Sequence, residues 1–318
     1  MKKTLIVVFF LGISLWAFSQ KKIVVSQNGD GEFKTVQQAL NAVPFHNKKV
    51  IEIYIKNGVY KEKLLLDSTK NKVKLIGEDP FKTILTFDDC PGKFDAKGIS
   101  INTQSSHSFL ALADDFTAEN ITFENNAGFT AGQAVALEVR GDRSIFRNCR
   151  IVGNQDILYL NAENSRQYYE SCYLEGTTDF IFGSATAWFQ NCHIQSNKNS
   201  HITAASTPEN HSFGYVFYNC VLTGDTSLNK VSLGRPWRPY ANVAYIHCYM
   251  GPHIKAEGWS VWNKLDTYSL SRYVEYENFG PGAKPSGRVA WSKQLTSAEV
   301  KKYTIKNVFK DWNPQNEK

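Results

Sequence analysis

Most of the chain alternates apolar and polar residues in short runs typical of β-strands, and helical spacing is rare. Residues 50–55 alternate in this way, and residues 24–31 form a similar run that ends in a turn. Residues 35–43 instead carry apolar side chains at helical spacing and stop at Pro44, which predicts a short amphipathic helix. From there to about residue 255 we predict no second helix, and after about Thr296 we predict C-terminal loops and a short amphipathic helix that pack on the rest of the fold.

A six-residue pattern recurs through the middle of the chain. It reads aromatic, any residue, polar, cysteine, any residue, apolar, and its copies are residues 146–151, 169–174, 189–194, 217–222 and 245–250. Residues 118–123 form an earlier copy without the cysteine. Successive cysteines are 23, 20, 28 and 28 residues apart, a period at which each repeat of short strands forms one coil. We predict a right-handed parallel β-helix, because the nearest alternative, leucine-rich repeats, needs a leucine and asparagine ladder that this chain lacks.

The repeat changes the interpretation of the six cysteines. Five of them hold one repeat position and are predicted to form an inward-facing ladder, in which cysteine serves as a small core residue. Neighbouring coils lie about 4.8 Å apart, which falls within the Cα separation that a disulfide accepts. The spacing therefore leaves two alternatives open: a bridge between Cys172 and Cys192, or a ladder of free thiols.

The N-terminus has the features of a secretory signal peptide. A methionine and two lysines are followed by an apolar run over residues 5–18 and by small residues. This run is shorter than the roughly 20 apolar residues of a membrane-spanning helix. We expect residues 1–19 to be removed, with cleavage after Ser19 or Gln20, and residues 20–318 to form one secreted or periplasmic domain that does not contact the membrane.

Charge and motif content leave several functional classes unsupported. The formal net charge is +6, or +4 without Lys2 and Lys3, and there is no lysine and arginine run of the kind found in nucleic-acid-binding proteins. The seven histidines show no zinc-binding spacing and are interpreted as surface or packed side chains. The sequence also lacks a Gly-x-Ser-x-Gly elbow, a phosphate-binding loop and a dinucleotide fingerprint.

Two aspartates occupy equivalent positions in consecutive repeats. Asp156 is seven residues after Cys149, and Asp179 is seven residues after Cys172, so a β-helix stacks their Cα atoms about 5 Å apart. Carboxylates this close have divided pKa values, which supplies a proton donor and an ionised nucleophile at one pH. The alternative is an aspartate ladder that caps turns. We favour the catalytic pair because both acids lie among apolar neighbours rather than in Gly/Asn turns.

Further side chains are predicted to surround this pair. Gln155 adjoins the first acid and Gln133 lies about one coil earlier, and their amides suit stabilisation of a developing oxyanion. Arg235 lies in a rigid turn from which it would hold Asp179 ionised. The residues predicted to form a flat aromatic surface for a sugar ring are Trp237, Tyr159 and Phe182.

With these residues in view, the chain resembles the pectin methylesterases (pectinesterases). The resemblance extends from about Val24 to Phe309, nearly the whole mature chain. It rests on seven ordered blocks: residues 58–62 (GVYKE), 133–137 (QAVAL), 153–156 (GNQD), 179–183 (DFIFG), 233–237 (LGRPW), 257–259 (EGW) and 275–283 (EYENFGPGA). Any one block is a weak signal, whereas the ordered set with both acids intact is specific.

The resemblance implies a parallel β-helix with an open cleft, and hydrolysis of C6 methyl esters of galacturonate residues in homogalacturonan. It implies that Asp179 attacks the ester carbonyl, and that Asp156 protonates methanol and then activates the water that releases the acyl-enzyme. The other implied site residues are the oxyanion-hole amides Gln133 and Gln155, the anchor Arg235 and the sugar-site Trp237. A monomer without metal or organic cofactor is implied, and the Cys172–Cys192 disulfide is favoured.

The chain departs from the family pattern at two positions. Gly132 replaces a common histidine, and Ile157 replaces the usual threonine after the first acid. Both are expected to touch the cleft and to affect subsite preference and pH optimum.

Other activities remain as alternatives. They are an esterase or thioesterase on a non-pectin substrate and a retaining glycoside hydrolase, whose carboxylates are also about 5 Å apart. A polygalacturonase needs wider-spaced acids, a pectate lyase needs an acidic calcium site, and a carbohydrate-binding solenoid has no use for the paired acids.

Overall fold

The coils predicted from the repeats form three parallel sheets. The computed structural model describes residues 22–262 and 268–317. Except at the two ends of the described chain, successive strands contribute to the three sheets in rotation, and each strand pairs in parallel with its equivalent one coil away. Parallel strands joined in this way have right-handed connections. The predicted right-handed parallel β-helix is confirmed.

The described strands are assigned to the sheets as follows. The first sheet contains β1 (Ile23–Val25), β2 (Ile51–Ile55), β5 (Val73–Gly77), β8 (Thr117–Glu119), β11 (Ser144–Arg147), β14 (Arg166–Glu170), β17 (Thr186–Gln190), β20 (Tyr215–Tyr218), β23 (Asn242–Ile246), β25 (Arg272–Tyr276) and β26 (Lys293–Gln294). The second contains β3 (Gly58–Lys61), β6 (Thr83–Phe87), β9 (Thr122–Asn125), β12 (Arg150–Val152), β15 (Tyr173–Gly176), β18 (His193–Ser196), β21 (Val221–Gly224) and β24 (Tyr249–Met250). The third contains β4 (Leu64–Leu66), β7 (Phe109–Ala111), β10 (Leu137–Val139), β13 (Leu158–Leu160), β16 (Ile181–Gly183), β19 (His201–Ala205) and β22 (Ser232–Pro236).

Short helices lie at the two ends of the described chain. The predicted N-terminal helix is α1 (Val36–Ala42), which is capped by the Thr35 side chain and buries its apolar face. The predicted C-terminal helix is α2 (Ser297–Val300), which begins with a capping box. A further helix, α3 (Ile305–Phe309), was not predicted from the sequence. Short 3₁₀ helices cover Gln104–Ser106, Pro285–Gly287 and Pro314–Asn316.

The polar residue of each repeat forms the corner between the first and second sheets. At this position the backbone takes a left-handed conformation, which asparagine tolerates better than most residues because its side chain bonds locally. The corner residues, with φ between 48° and 57°, are Asn120, Asn148, Ser171, Asn191, Asn219 and His247. The repeat pattern therefore encodes a turn as well as two strands.

The aromatic and cysteine positions of the repeat face the core and stack from coil to coil. Successive ring centroids of the aromatic stack are 4.8, 4.7, 4.5 and 4.4 Å apart, near the coil spacing. The stacked rings are Phe146, Tyr169, Phe189, Phe217 and Tyr245. This stack and the adjacent cysteine ladder form a continuous core along the solenoid.

The cysteine ladder is present, but its members are not bridged. Cys172 and Cys192 are both buried free thiols, so the disulfide predicted between them is not formed in this structure. Each thiol instead donates a hydrogen bond to a backbone carbonyl, that of Phe146 for Cys172 and that of Tyr169 for Cys192. In this parallel arrangement each sulfur atom is directed at the backbone of the preceding coil, which satisfies the thiols without a covalent bond.

The chain end packs against the outer face of the first sheet. Phe309 and Trp312 lie in an apolar cluster with Tyr168 and Trp188 of that sheet, and Arg166 donates to the Phe309 carbonyl oxygen. In the described ranges, no helix is long and apolar enough to cross a membrane. The predicted signal peptide lies outside the described residues.

Candidate active site

Asp156 and Asp179 occupy the same position on consecutive coils. The register pairs Leu158 with Ile181, and each aspartate lies two residues before its strand. Backbone hydrogen bonds between coils continue at the two aspartates. The Asp156 N–H donates to the Thr178 carbonyl oxygen, and the Asp179 N–H donates to the His201 carbonyl oxygen in the following coil. The predicted stacking of the two backbone positions is thus present.

The local backbone differs from the sequence-based expectation. Both aspartates lie in a bend with left-handed φ, 62° for Asp156 and 48° for Asp179, so the argument that they avoid turns was wrong. Aspartate tolerates this conformation, and the bend directs both side chains into a surface cleft. Only 8% of Asp156 and 5% of Asp179 remain exposed.

Arg235 forms a two-bond ion pair with Asp179. Its Nε atom donates to Oδ1 at 3.1 Å, and its Nη2 atom donates to Oδ2 at 2.6 Å. This fork geometry fixes the orientation of the carboxylate as well as its charge. On its other side the guanidinium lies 4.0 Å from the ring centroid of Trp262. Strand β22 places Arg235 in the cleft, where its guanidinium lies between the Asp179 carboxylate and the Trp262 indole.

The surroundings of the two carboxyl groups separate their pKa values. Burial, reinforced by the charge of Asp179, raises the pKa of Asp156 well above its ordinary value, while Gln155 and Arg235 partly oppose the rise. Burial also raises the pKa of Asp179, but its hydrogen bonds and charge interaction with Arg235 act in the opposite direction. The direct ion pair favours ionised Asp179, and the neighbouring negative charge favours protonated Asp156.

The two amides meet beside the acids. Gln133 and Gln155 pair as an isolated parallel bridge on consecutive coils, and the Ala134 N–H donates to the Gln155 carbonyl oxygen. Both side chains line the same cleft as the aspartates. The cleft therefore contains amide donors, a buried acid and an ion-paired carboxylate within one surface.

The three predicted aromatic residues are also brought together. The rings of Tyr159 and Phe182 stack with centroids 4.3 Å apart and an interplanar angle of 11°. Trp237 lies 6.0 Å beyond Phe182 and is only partly buried. The result is an aromatic floor beside the carboxylates, inside a cleft of about 460 Å³.

Comparison with known proteins assigns this architecture to a family. The model of the pectinesterase family matches residues 22–311. The chain belongs to the pectinesterase family. It is similar to Pectinesterase 31 of Arabidopsis thaliana, with 38% identity over 88% of this chain and 89% of that protein. It spans about half the length of several other curated relatives, such as 51% of a pectinesterase/pectinesterase inhibitor of Brassica campestris.

Solved structures of the family have the same fold. A pectin methylesterase from carrot superposes with a TM-score of 0.83 and 33% identity, over 90% of this chain and 92% of that one. A pectin methylesterase solved in complex with a hexasaccharide superposes with a TM-score of 0.82 and 29% identity, over 92% of this chain and 98% of that one.

Gly132 and Ile157, the two positions at which the chain departs from the family pattern, do not line the cleft as expected. Ile157 is fully buried in the core and does not line the cleft, because side chains alternate direction beside Asp156. Gly132 has a φ of 78° and adjoins Gln133, but it is not part of the cleft lining either. The expectation that both residues touch the cleft was therefore wrong.

The structure adds cleft residues that the sequence analysis missed. They are Asn102, Thr103, Gln104, Ala204 and Trp262. The signal for Trp262 was its place three residues after block 257–259 of the family resemblance, whereas the segment around the 3₁₀ helix Gln104–Ser106 has no motif. Among residues 22–262 and 268–317, no group of three or more His, Cys, Asp or Glu is placed to hold a metal ion.

Replacing Arg235 with glutamine is expected to lower kcat/KM about 100-fold at neutral pH. Without the guanidinium, burial raises the pKa of Asp179 further, so its ionised form requires a higher pH. The acidic limb of the kcat/KM profile should therefore move to higher pH, with partial recovery of activity there. Arg238→Gln is the matched control for the acidic limb, because Arg238 is exposed and contacts the carbonyl oxygen and the ring of Trp237 rather than Asp179. An unchanged acidic limb would contradict this account of Asp179.

Proposed function

We propose that this pectinesterase hydrolyses the C6 methyl ester of galacturonate residues in homogalacturonan, releasing methanol and a free carboxylate. The observation that carries the proposal is the pair of stacked acids: Arg235 binds Asp179 through two hydrogen bonds, and Asp156 lies buried beside it with its pKa raised well above the ordinary value. The cleft around them is open and partly aromatic, as a polysaccharide site requires. The similar structure bound to a hexasaccharide supports a polysaccharide substrate.

In the first half of the proposed reaction, ionised Asp179 attacks the ester carbonyl carbon. A new bond forms between its carboxylate oxygen and that carbon, and the carbonyl oxygen takes the negative charge. The Gln133 and Gln155 amides stabilise this oxyanion by donating hydrogen bonds. As the intermediate collapses, protonated Asp156 gives its proton to the departing methoxide, which leaves as methanol and produces an acyl-enzyme on Asp179.

In the second half, Asp156 acts as a base. Having lost its proton, it removes one from a water molecule, which attacks the acyl carbon. The bond between this carbon and the Asp179 oxygen then breaks, which regenerates the carboxylate in its hydrogen bonds with Arg235. The product carboxylic acid releases its remaining proton to solvent. Each residue thus returns to its starting protonation state after one turnover.

The test of this function uses purified mature protein and highly methylated pectin. Methanol release, new reducing ends and absorbance of unsaturated products are followed together. We expect methanol alone, because the pair attacks an ester rather than the glycosidic bond. Reducing ends without methanol would instead support the glycoside hydrolase alternative, and no signal in any channel would require a different ester or thioester substrate.

The setting of the reaction belongs to the same proposal. We infer that residues 20–318 form one domain that acts as a monomer after export, since pectin lies outside the cytoplasm. Secretion into the medium and retention in the periplasm both satisfy this requirement. N-terminal sequencing of the exported protein tests it, with a new terminus expected immediately after Ser19 or Gln20.

A further inference from the structure

A buried glutamate continues the cleft-facing row of the third sheet. The register places Glu138, Tyr159 and Phe182 at equivalent positions on successive coils, and Ala204 and Arg235 extend the same row. The last four line the catalytic cleft, whereas the Glu138 side chain is 0% exposed. A carboxylate removed from water in this way is costly unless polar neighbours compensate it. Neither half of the proposed reaction uses this carboxylate.

The two oxygen atoms of Glu138 have different surroundings. Arg140 Nε donates to Oε1 at 2.6 Å, and Asn161 Nδ2 donates to the same atom at 2.9 Å. In the described part of the chain Oε2 has no hydrogen-bond partner, and it lies 3.7 Å from His107 Nδ1. The negative charge of the carboxylate is therefore directed at this imidazole.

The tautomer of His107 follows from the two oxygen atoms that face its Nδ1 atom. Nδ1 lies 2.8 Å from the Gln104 carbonyl oxygen, which can only accept, so Nδ1 carries the proton. The Glu138 carboxylate stabilises the same tautomer, because it would repel an Nδ1 lone pair. Burial lowers the pKa of His107. The Gln104 carbonyl and the Glu138 charge oppose this fall, whereas the charges of Lys63 and Arg140 add to it. Near neutral pH the ring is therefore a neutral donor.

Gln104 is the residue through which this contact reaches the catalytic cleft. It begins the short 3₁₀ helix Gln104–Ser106 and lines the cleft. Its side chain forms a hydrogen bond with Tyr159, which opposes the rise that burial causes in the pKa of the Tyr159 hydroxyl. Because His107 donates to the backbone of Gln104, the imidazole fixes the start of this helix beside Tyr159.

The rest of this short helix is anchored independently of Glu138. The Val135 N–H donates to Ser106 Oγ at 3.1 Å, and the Asn125 side-chain amide donates to the Ser106 carbonyl oxygen at 3.1 Å. Loss of the Glu138 contact should therefore release Gln104 while these bonds keep the helix on the coil beneath it.

We propose that Glu138 is a positioning residue for the catalytic cleft. It orients His107, and His107 in turn holds Gln104 against Tyr159. Neither Glu138 nor His107 lines the cleft, so both act on the substrate only through the two residues that do. The proposal rests on the proposed function, since the ligand of the cleft is its ester substrate. Because no reacting group is altered, loss of the contact should weaken binding of substrate and transition state equally, which raises KM and leaves kcat unchanged.

Methanol release from methylated pectin provides the kinetic test. Glu138→Gln, which offers an amide donor in place of an acceptor oxygen, and His107→Ala should each raise KM about tenfold while kcat changes less than about twofold. Since both act through one contact, the double variant should raise KM no further than either single variant, rather than by about a hundredfold. An unchanged KM in the single variants, or additive effects in the double variant, would overturn the proposal.

Two variants guard against a folding defect. His107→Ala leaves the ion pair between Glu138 and Arg140 in place, so it decides the question if Glu138→Gln does not fold. Glu275→Gln is the matched control, because it changes another buried glutamate, which is bound by Arg288 outside the cleft. It should lower Tm without changing KM, which separates a general loss of stability from a loss of positioning.

A measurement without turnover separates this proposal from the ester chemistry. In protein isotopically labelled at the tyrosine Cζ atom, the NMR signal of Tyr159 is assigned by its loss in Tyr159→Phe. It should shift in Glu138→Gln and in His107→Ala, because the hydrogen bond from Gln104 changes, and stay in place in Glu275→Gln. An unmoved signal in both variants would overturn the positioning role even in a protein that releases no methanol. A shifted signal without methanol release would support the positioning role and contradict the proposed function alone.

Discussion

Replacing Asp179 with asparagine is expected to lower kcat for methanol release by about 10⁴-fold or more. The amide preserves the shape of the side chain and can still accept one hydrogen bond from Arg235 through its oxygen, but it cannot form the covalent acyl intermediate. Steady-state methanol release from methylated pectin measures the loss. Because the negative charge beside it is gone, the pKa of Asp156 should also fall, which NMR or infrared titration of its carboxyl group can follow.

Two comparisons separate a missing nucleophile from a damaged fold. Asp67→Asn changes a carboxylate in a turn outside the cleft, where it accepts bonds from Thr69, and should retain wild-type activity. Asp179→Asn should retain the circular dichroism spectrum and substrate binding of the wild type. Substantial turnover by a correctly folded Asp179→Asn protein would rule out this residue as the nucleophile.

Replacing Asp156 with asparagine is expected to lower kcat for the methyl ester about 1,000-fold. Methoxide is a poor leaving group that needs a proton, and burial together with the charge of Asp179 keeps this acid protonated. In the wild type, activity should fall as pH rises through the pKa of Asp156, because the donor is then lost. This alkaline limb should be absent from the kcat profile of the variant.

A change of leaving group tests the acid role directly. A trifluoroethyl ester departs without full protonation, so its acylation by Asp156→Asn should be much less impaired than that of the methyl ester. Because the same variant lacks the base for deacylation, the acyl-enzyme should accumulate as a burst of released alcohol and as a mass adduct on Asp179. An equal rate loss on both esters, without an adduct, would assign Asp156 a positioning effect instead.

Much of the candidate site could be predicted because a solenoid converts sequence spacing into spatial register. A seven-residue offset from successive cysteines is enough to stack Asp156 on Asp179, and an amide one coil away falls beside them for the same reason. The aromatic floor follows from the same rule, since Tyr159 and Phe182 are equivalent positions on paired strands.

The errors of the sequence analysis occur where the repeat rule says nothing. The left-handed bends at Asp156 and Asp179 and the inward direction of Ile157 depend on how the chain turns between two sheets. The hydrogen bonds from Cys172 and Cys192 to backbone carbonyls depend on side-chain direction within the ladder. Equal spacing along the chain does not specify either property.

The sequence by itself determined the coil architecture, the order of the core stack and the adjacency of the two acids, because strand pairing between coils repeats a local pattern. The tertiary structure alone decided the two-bond orientation of Arg235 and the placement of Trp262 on its other face. These features depend on loops of unequal length from different coils, whose paths are set by packing and hydrogen bonding rather than by the repeat period.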